Sequence, residues 1–147
     1  MPKFFRAKIL PYNSKFLFNL VKDIENYPHF LPWCSKAVID KRLNKNTLLA
    51  TLVVGKFPFH KSFQSVVFFR ESTSIKSIST KDGPFKYLLN IWKFESLSFN
   101  LTKVCLFLDF EFDSLFFDSV IKNHFLNTSE VILKAFEKRA HNVYILN

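Results

Sequence analysis

The chain has 147 residues, 48% apolar, 22% charged and 18% aromatic, which fits one folded domain over 1–147 with a real core and excludes disorder as the main state. Its longest wholly apolar runs, such as Val104 to Leu108, fall far below the roughly 18 residues of a membrane-spanning helix, and the early charges Lys3, Arg6 and Lys8 interrupt any signal-peptide stretch. The net charge of +9 is uneven: residues 1–108 hold 17 Lys and Arg against six Asp and Glu, and residues 109–147 hold four against six. Such a basic body favours phosphate, on lipid head groups or RNA, but no Lys and Arg run exceeds two residues, a pattern that equally describes a solvated surface. Cys34 and Cys105 stand alone, which argues against a disulfide framework or a cysteine metal site, and the expected location is the cytoplasm.

In chain order, Lys3 to Leu10 reads as a strand. Pro11-Tyr12-Asn13-Ser14 ends it and offers Ser14 as the cap of a first helix, about 14–24, with Phe16, Leu17, Leu20, Val21 and Ile24 at helical spacing. Asn26 to Trp33 holds two prolines and can form only a short helical turn or loop. Strands follow at about 35–43, 47–57, 59–71, 73–81 and 86–96, with Asp82-Gly83-Pro84 as a turn. A last strand alternates Val104, Leu106, Leu108, Phe110 and Phe112 with Cys105, Phe107, Asp109, Glu111 and Asp113. The chain closes on a helix of roughly 115–143, whose apolar stripe runs through Phe117, Val120, Ile121, His124, Phe125, Thr128, Val131, Ile132, Ala135 and Phe136. This order predicts an α+β layer pair, a curved seven-stranded antiparallel sheet wrapped around a long C-terminal helix, with an apolar cavity between them.

Several strings in this order resemble a known family. Tyr27-Pro28-His29-Phe30-Leu31-Pro32-Trp33-Cys34, Asp82-Gly83-Pro84-Phe85-Lys86 with Trp92-Lys93-Phe94, Leu108-Asp109-Phe110-Glu111-Phe112, and Ala135-Phe136-Glu137-Lys138-Arg139-Ala140 with Val143-Tyr144 resemble the coenzyme Q-binding, START-like polyketide cyclase family. Bacterial members are commonly named ribosome association toxin. The resemblance implies a helix-grip fold and two competing functions: binding of ubiquinone or a related isoprenoid quinone in support of respiration, or binding to a ribosomal subunit that interferes with subunit joining. Two glycines and twenty phenylalanines depart from the family pattern and would narrow the cavity.

Read with the resemblance, Pro28, Phe30, Leu31, Pro32 and Trp33 form a stiff apolar lip at the cavity mouth, where prolines fix the backbone and rings can meet a quinone; the alternative is a packed loop. Trp92, Phe94, Phe110 and Phe112 from the strands and Phe117, Val120, Ile121, His124 and Phe125 from the helix serve either as core or as cavity lining. Lys41, Arg42 and Lys45 are the candidate phosphate contacts, suited to a transient membrane surface at the inner membrane or to a ribosome. Asp109, Glu111 and Asp113 share a strand face but have no histidine beside them, and His29 with Cys34 lacks an orienting third group. The chain has no Gly-rich phosphate loop, His-Glu-x-x-His string or Gly-x-Ser-x-Gly elbow, so the expectation is a non-catalytic carrier without metal.

Overall fold

The computed structural model describes residues 3–55, 60–80, 83–112 and 128–146. Strand β1 (Lys3–Leu10) leads into helix α1 (Ser14–Lys22) and a 3-10 turn (Ile24–His29). Six strands follow: β2 (Cys34–Asn44), β3 (Thr47–Val54), β4 (Lys61–Arg70), β5 (Ser74–Ser79), β6 (Phe85–Ser98) and β7 (Leu101–Phe112), and helix α2 (Thr128–Leu146) closes the chain. The seven strands form one antiparallel sheet in the order β1-β7-β6-β5-β4-β3-β2, a meander whose last strand returns to pair with the first. Register shifts in β2 and β6 bend the sheet.

Period-two patterning decides which face is inside. Along β7, Thr102, Val104, Leu106, Leu108 and Phe110 are buried, whereas Lys103, Cys105, Phe107, Asp109 and Glu111 lie on the opposite, partly exposed face. That outer face is acidic toward the strand's end and solvated: the Tyr87 hydroxyl donates to Asp109 at 3.0 Å, and Lys86 lies 3.8 Å from Glu111. Asp113 falls outside the described residues. On the inner face α1 packs against β5 and β6, and α2 against β1, β7 and α1. Leu17, Phe18 and Val21 of α1 and Leu133, Phe136 and Ala140 of α2 fill the space between.

Two local expectations change. The cap of α1 is Asn13, not Ser14: Asn13 keeps an extended backbone and its Oδ1 accepts the Lys15 N–H at 3.0 Å, while its Nδ2 donates to the Phe99 carbonyl at 2.8 Å. A side chain one residue earlier thus serves both the helix and the β6–β7 turn. The closing helix is described from Thr128 and runs on to Leu146, past the expected end at 143. Its buried line is Leu133, Phe136 and Ala140, rotated from the expected stripe, with Val131, Ile132 and Ala135 half-buried beside it. The rotation arises because α2 meets β1 on one flank and α1 on the other.

Candidate functional site

The inner face divides into two clusters. The larger joins both helices to the sheet through Leu10, Phe18, Trp92, Phe94, Leu106 and Phe136 among others. The smaller consists of Phe63, Phe85 and Phe110, with Phe4, Leu52, Val54 and Leu88 packed against it. Its rings meet edge to face, Phe63 on Phe85 at 5.1 Å and Phe85 on Phe110 at 6.2 Å, and Phe4 stacks on Phe110 at 5.9 Å. Strand direction places this aromatic cluster where β4 and β6 begin and β7 ends, opposite the β6–β7 hairpin turn.

The expected lip packs on the larger cluster. Phe30 and Leu31 pack against the larger one, Pro28 and Trp33 are half-buried, and Pro32 is exposed. Phe30 is held from two sides, by the Phe136 ring at 4.9 Å and by the Arg139 guanidinium 5.3 Å from its centroid. Tyr27 anchors the turn: its hydroxyl donates to the Val21 carbonyl and its ring meets Phe136 at 5.4 Å. Burial raises the Tyr27 phenol far above its usual range, and the neighbouring Cys34 and Asp23 add to the rise. At the far end of the lip Trp33 adopts φ 64°, a left-handed conformation uncommon for a bulky residue, while its carbonyl accepts the Gly55 N–H at 2.9 Å. Cys34 follows, buried, its thiol pushed up to about 11 by burial, which makes it a poor nucleophile at neutral pH.

The other expected liners separate. Trp92 and Phe94 stack at 6.3 Å, and Trp92 meets Phe136 edge to face at 4.8 Å; both line a space of about 10 Å³ together with Leu10, Leu17, Leu20, Val21, Val104, Leu133 and Phe136. That space is at the limit for one water and is walled by apolar groups, so the closed half of the molecule is packed as core here. Phe110 belongs instead to the aromatic cluster at the lip end. Phe112 pairs with Phe85 through the backbone, and Phe117, Val120, Ile121, His124 and Phe125 lie outside the described residues. Lys41, Arg42 and Lys45 are exposed along edge strand β2 and its turn into β3. Among the described residues no group of three or more His, Cys, Asp or Glu is arranged to hold a metal.

Phe63, Phe85, Tyr27 and Arg139 were not singled out individually by sequence reasoning. Phe85, Tyr27 and Arg139 stand inside the family-like strings, whereas Phe63 had only the alternation of its strand as a signal.

Comparison with known proteins follows this geometry. Residues 10–137 match the family model described as polyketide cyclase / dehydrase and lipid transport. The ribosome association toxin RatA of Rickettsia prowazekii is 37% identical over 97% of this chain and 99% of its own length. The mitochondrial coenzyme Q-binding protein COQ10 of Dictyostelium discoideum is 31% identical over 94% of this chain and 68% of its own. A START superfamily protein from Mycobacterium smegmatis superimposes with a TM-score of 0.81 at 20% identity, covering 96% of this chain and 98% of the other, a likeness of fold.

Proposed function

Since the chain belongs to the polyketide cyclase/dehydrase and lipid transport family, we propose that it binds a hydrophobic ligand of the isoprenoid quinone class, ubiquinone or a relative, between the sheet and the C-terminal helix, in support of respiration. The observation that carries this reading is the lip-end cluster of Phe63, Phe85 and Phe110, three facing rings beside the Trp33 lip and separate from the helix-covered core. Aromatic rings gathered at one end of the inner face suit a flat quinone head, and the apolar inner face suits its tail. Ligand sites of this kind occupy roughly 300–1,000 Å³, and the lip and the ring cluster would form the mouth of such a site. No reaction is assigned, because the reading needs only binding. A cytoplasmic location peripheral to the inner membrane goes with it.

The test uses Trp33 and Trp92 as probes. Quinone titration should quench their fluorescence beyond a free-tryptophan control, and organic extracts of the purified protein should contain quinone by mass spectrometry. Neither signal appearing would end the carrier reading.

A second reading has its own support: the relative named for ribosome association is 37% identical to this chain, and Lys41, Arg42 and Lys45 stand exposed on one edge. Under it the basic edge contacts phosphate, and pelleting with ribosomes should be saturable and weaken steeply with salt. Strong saturable pelleting with no quinone uptake would put this reading first.

A further inference from the structure

One end of the molecule is apolar where a water-facing turn is expected to be polar. Phe99, at the two-residue turn between β6 and β7, is 79% exposed, and Leu97 and Leu101 on either side are 45% and 37% exposed. The end of α2 comes to the same place: Tyr144 lies against Tyr12 at 5.4 Å and Phe16 at 5.9 Å, next to Asn13, whose side chain holds the Phe99 carbonyl. Tyr144 and the following Ile145 remain 59% and 65% exposed. Two segments remote in sequence thus present large apolar side chains together, more than isolated surface residues explain.

Charge selects the occupant. The segments that carry this patch, residues 8–16, 93–103 and 138–146, hold six lysines and arginines, of which Arg139 is turned onto Phe30, and one carboxylate, Glu95, with Glu137 just before the last segment. One of the six, Lys8, is paired with Glu137 at 2.7 Å; Lys15 is exposed and Lys103 half-buried close to the turn. At the other end of β7 stand Asp109 and Glu111, so the strand runs from a basic tip to an acidic end. A second copy docked symmetrically would set cations against cations. RNA would suit the cations and could stack on Phe99 and Tyr144, but the exposed aliphatic side chains of Leu97, Leu101 and Ile145 give bases and phosphates nothing to hold and gain only from leaving water. Apolar and aromatic side chains flanked by Lys15 and Lys103 match the interfacial layer of an anionic bilayer, where rings sit at head-group level and ammonium groups meet lipid phosphates.

We propose that this tip is a membrane-docking surface, with Phe99, Leu97, Leu101, Tyr144 and Ile145 entering the interface of an anionic bilayer and Lys15 and Lys103 holding its head groups. The proposal stands apart from the ligand reading, since the docked tip leaves the Trp33 lip at the opposite end of the sheet.

The experiment is vesicle flotation with the full chain and no added quinone, using phosphatidylcholine vesicles with and without phosphatidylglycerol. The parent should float with the anionic vesicles and far less with the neutral ones. Phe99→Ser should weaken that binding about tenfold or more, as expected for one large apolar side chain kept out of the interface. The double change Lys15→Glu and Lys103→Glu should weaken it to a similar extent, and salt should weaken the parent too. Because Phe99 is already exposed, Phe99→Ser should leave the thermal transition in place. Phe99→Trp supplies an independent readout, a blue shift of emission on adding anionic vesicles, after subtraction of the parent's signal. The proposal is overturned if the parent ignores anionic vesicles, or if Phe99→Ser floats as the parent does. It is also overturned if the Phe99→Trp emission does not move, or if Phe99→Ser instead abolishes ribosome pelleting or self-association while flotation is unchanged.

Discussion

The helix-covered half of the sheet and its lip end are built from the same residue types but are closed in different ways. In the first, Phe18 and Leu106 are fully buried and rings interlock from three elements: Phe18 of α1 with Phe69 and Phe94 of the sheet, and Phe136 of α2 with Trp92. At the lip end Phe63, Phe85 and Phe110 meet edge to face, and the described apolar residues packed around them, Phe4, Leu52, Val54 and Leu88, are only partly buried. Dense contact from several elements makes a side chain costly to remove. The lip-end rings are buried too, but the described side chains around them keep some exposure to water. On the proposed reading the first set holds the fold and the second also meets the ligand, even though both look alike as a string of Phe.

The widest test of this contrast compares Phe18→Ala with Phe85→Ala. Phe18 is enclosed on all sides, so its truncation should cost about 3–5 kcal/mol in urea unfolding. Phe85 is buried as well, so Phe85→Ala should also destabilise, but it alone should change quinone affinity in the folded protein. A Phe85→Ala variant that binds quinone as the parent does would erase the distinction between the two halves.

Alkaline pH probes the turn that joins them. Burial raises the Cys34 thiol from 9.0 to about 11, and Tyr27 is raised as well. Both groups stay neutral in the folded chain when they would ionise in the unfolded one. Their contribution is therefore complete below pH 9 and is lost as pH climbs from there through the folded values. After allowance for solvent screening at the turn, the Cys34 share should come to about 1–2 kcal/mol, visible as a falling urea midpoint across that window. At pH 8 the half-buried Cys105 should alkylate before Cys34. Faster labelling of Cys34 would mean that the lip opens readily in solution.

Gly83 tests how tightly the lip end is made. Its φ of 132° is a conformation side chains rarely adopt, and a Cβ there would come 3.2 Å from the Cβ of Phe63. Gly83→Ala should therefore cost about 1–2 kcal/mol and shift Phe63 within the cluster. A change in quinone affinity larger than the loss of stability implies would place the ligand against Phe63, and a neutral variant would show the cluster to be loose.

The fold was legible because its signals are local and repeated. The alternation in 101–112, the turn signals and the helical spacing in 14–24 each translate into one element, and a meander leaves few ways to order them. The rotation of α2 was not legible, because Leu133 and Ala140 look no more inward than Val131 or Ala135 until the helix has neighbours on both flanks. Nor was the choice of Asn13 over Ser14, since both are good caps and the decision rests on a contact with Phe99, 86 residues away. The same limit applies to the site. Trp92, Phe94 and Phe110 alternate on strands in the same way, but the first two face helices and the third faces other rings.

The smallest effect belongs to Thr102, which is fully buried on the inner face of β7, with its hydroxyl donating to the Tyr12 carbonyl at 2.8 Å. This bond ties the chain leaving β1 to the sheet just before α1 begins, at the closed half. Thr102→Val keeps the shape but removes the donor, leaving a buried carbonyl without that partner, so about 1 kcal/mol should be lost in urea unfolding. Thr102→Ser keeps the donor and loses a methyl group, which separates the hydrogen bond from the packing. Neither change touches the lip-end rings, so quinone affinity in the folded protein should match the parent's for both. If Thr102→Val alters affinity while Phe85→Ala does not, the ligand lies under the helices, and the roles given to the two halves must be exchanged.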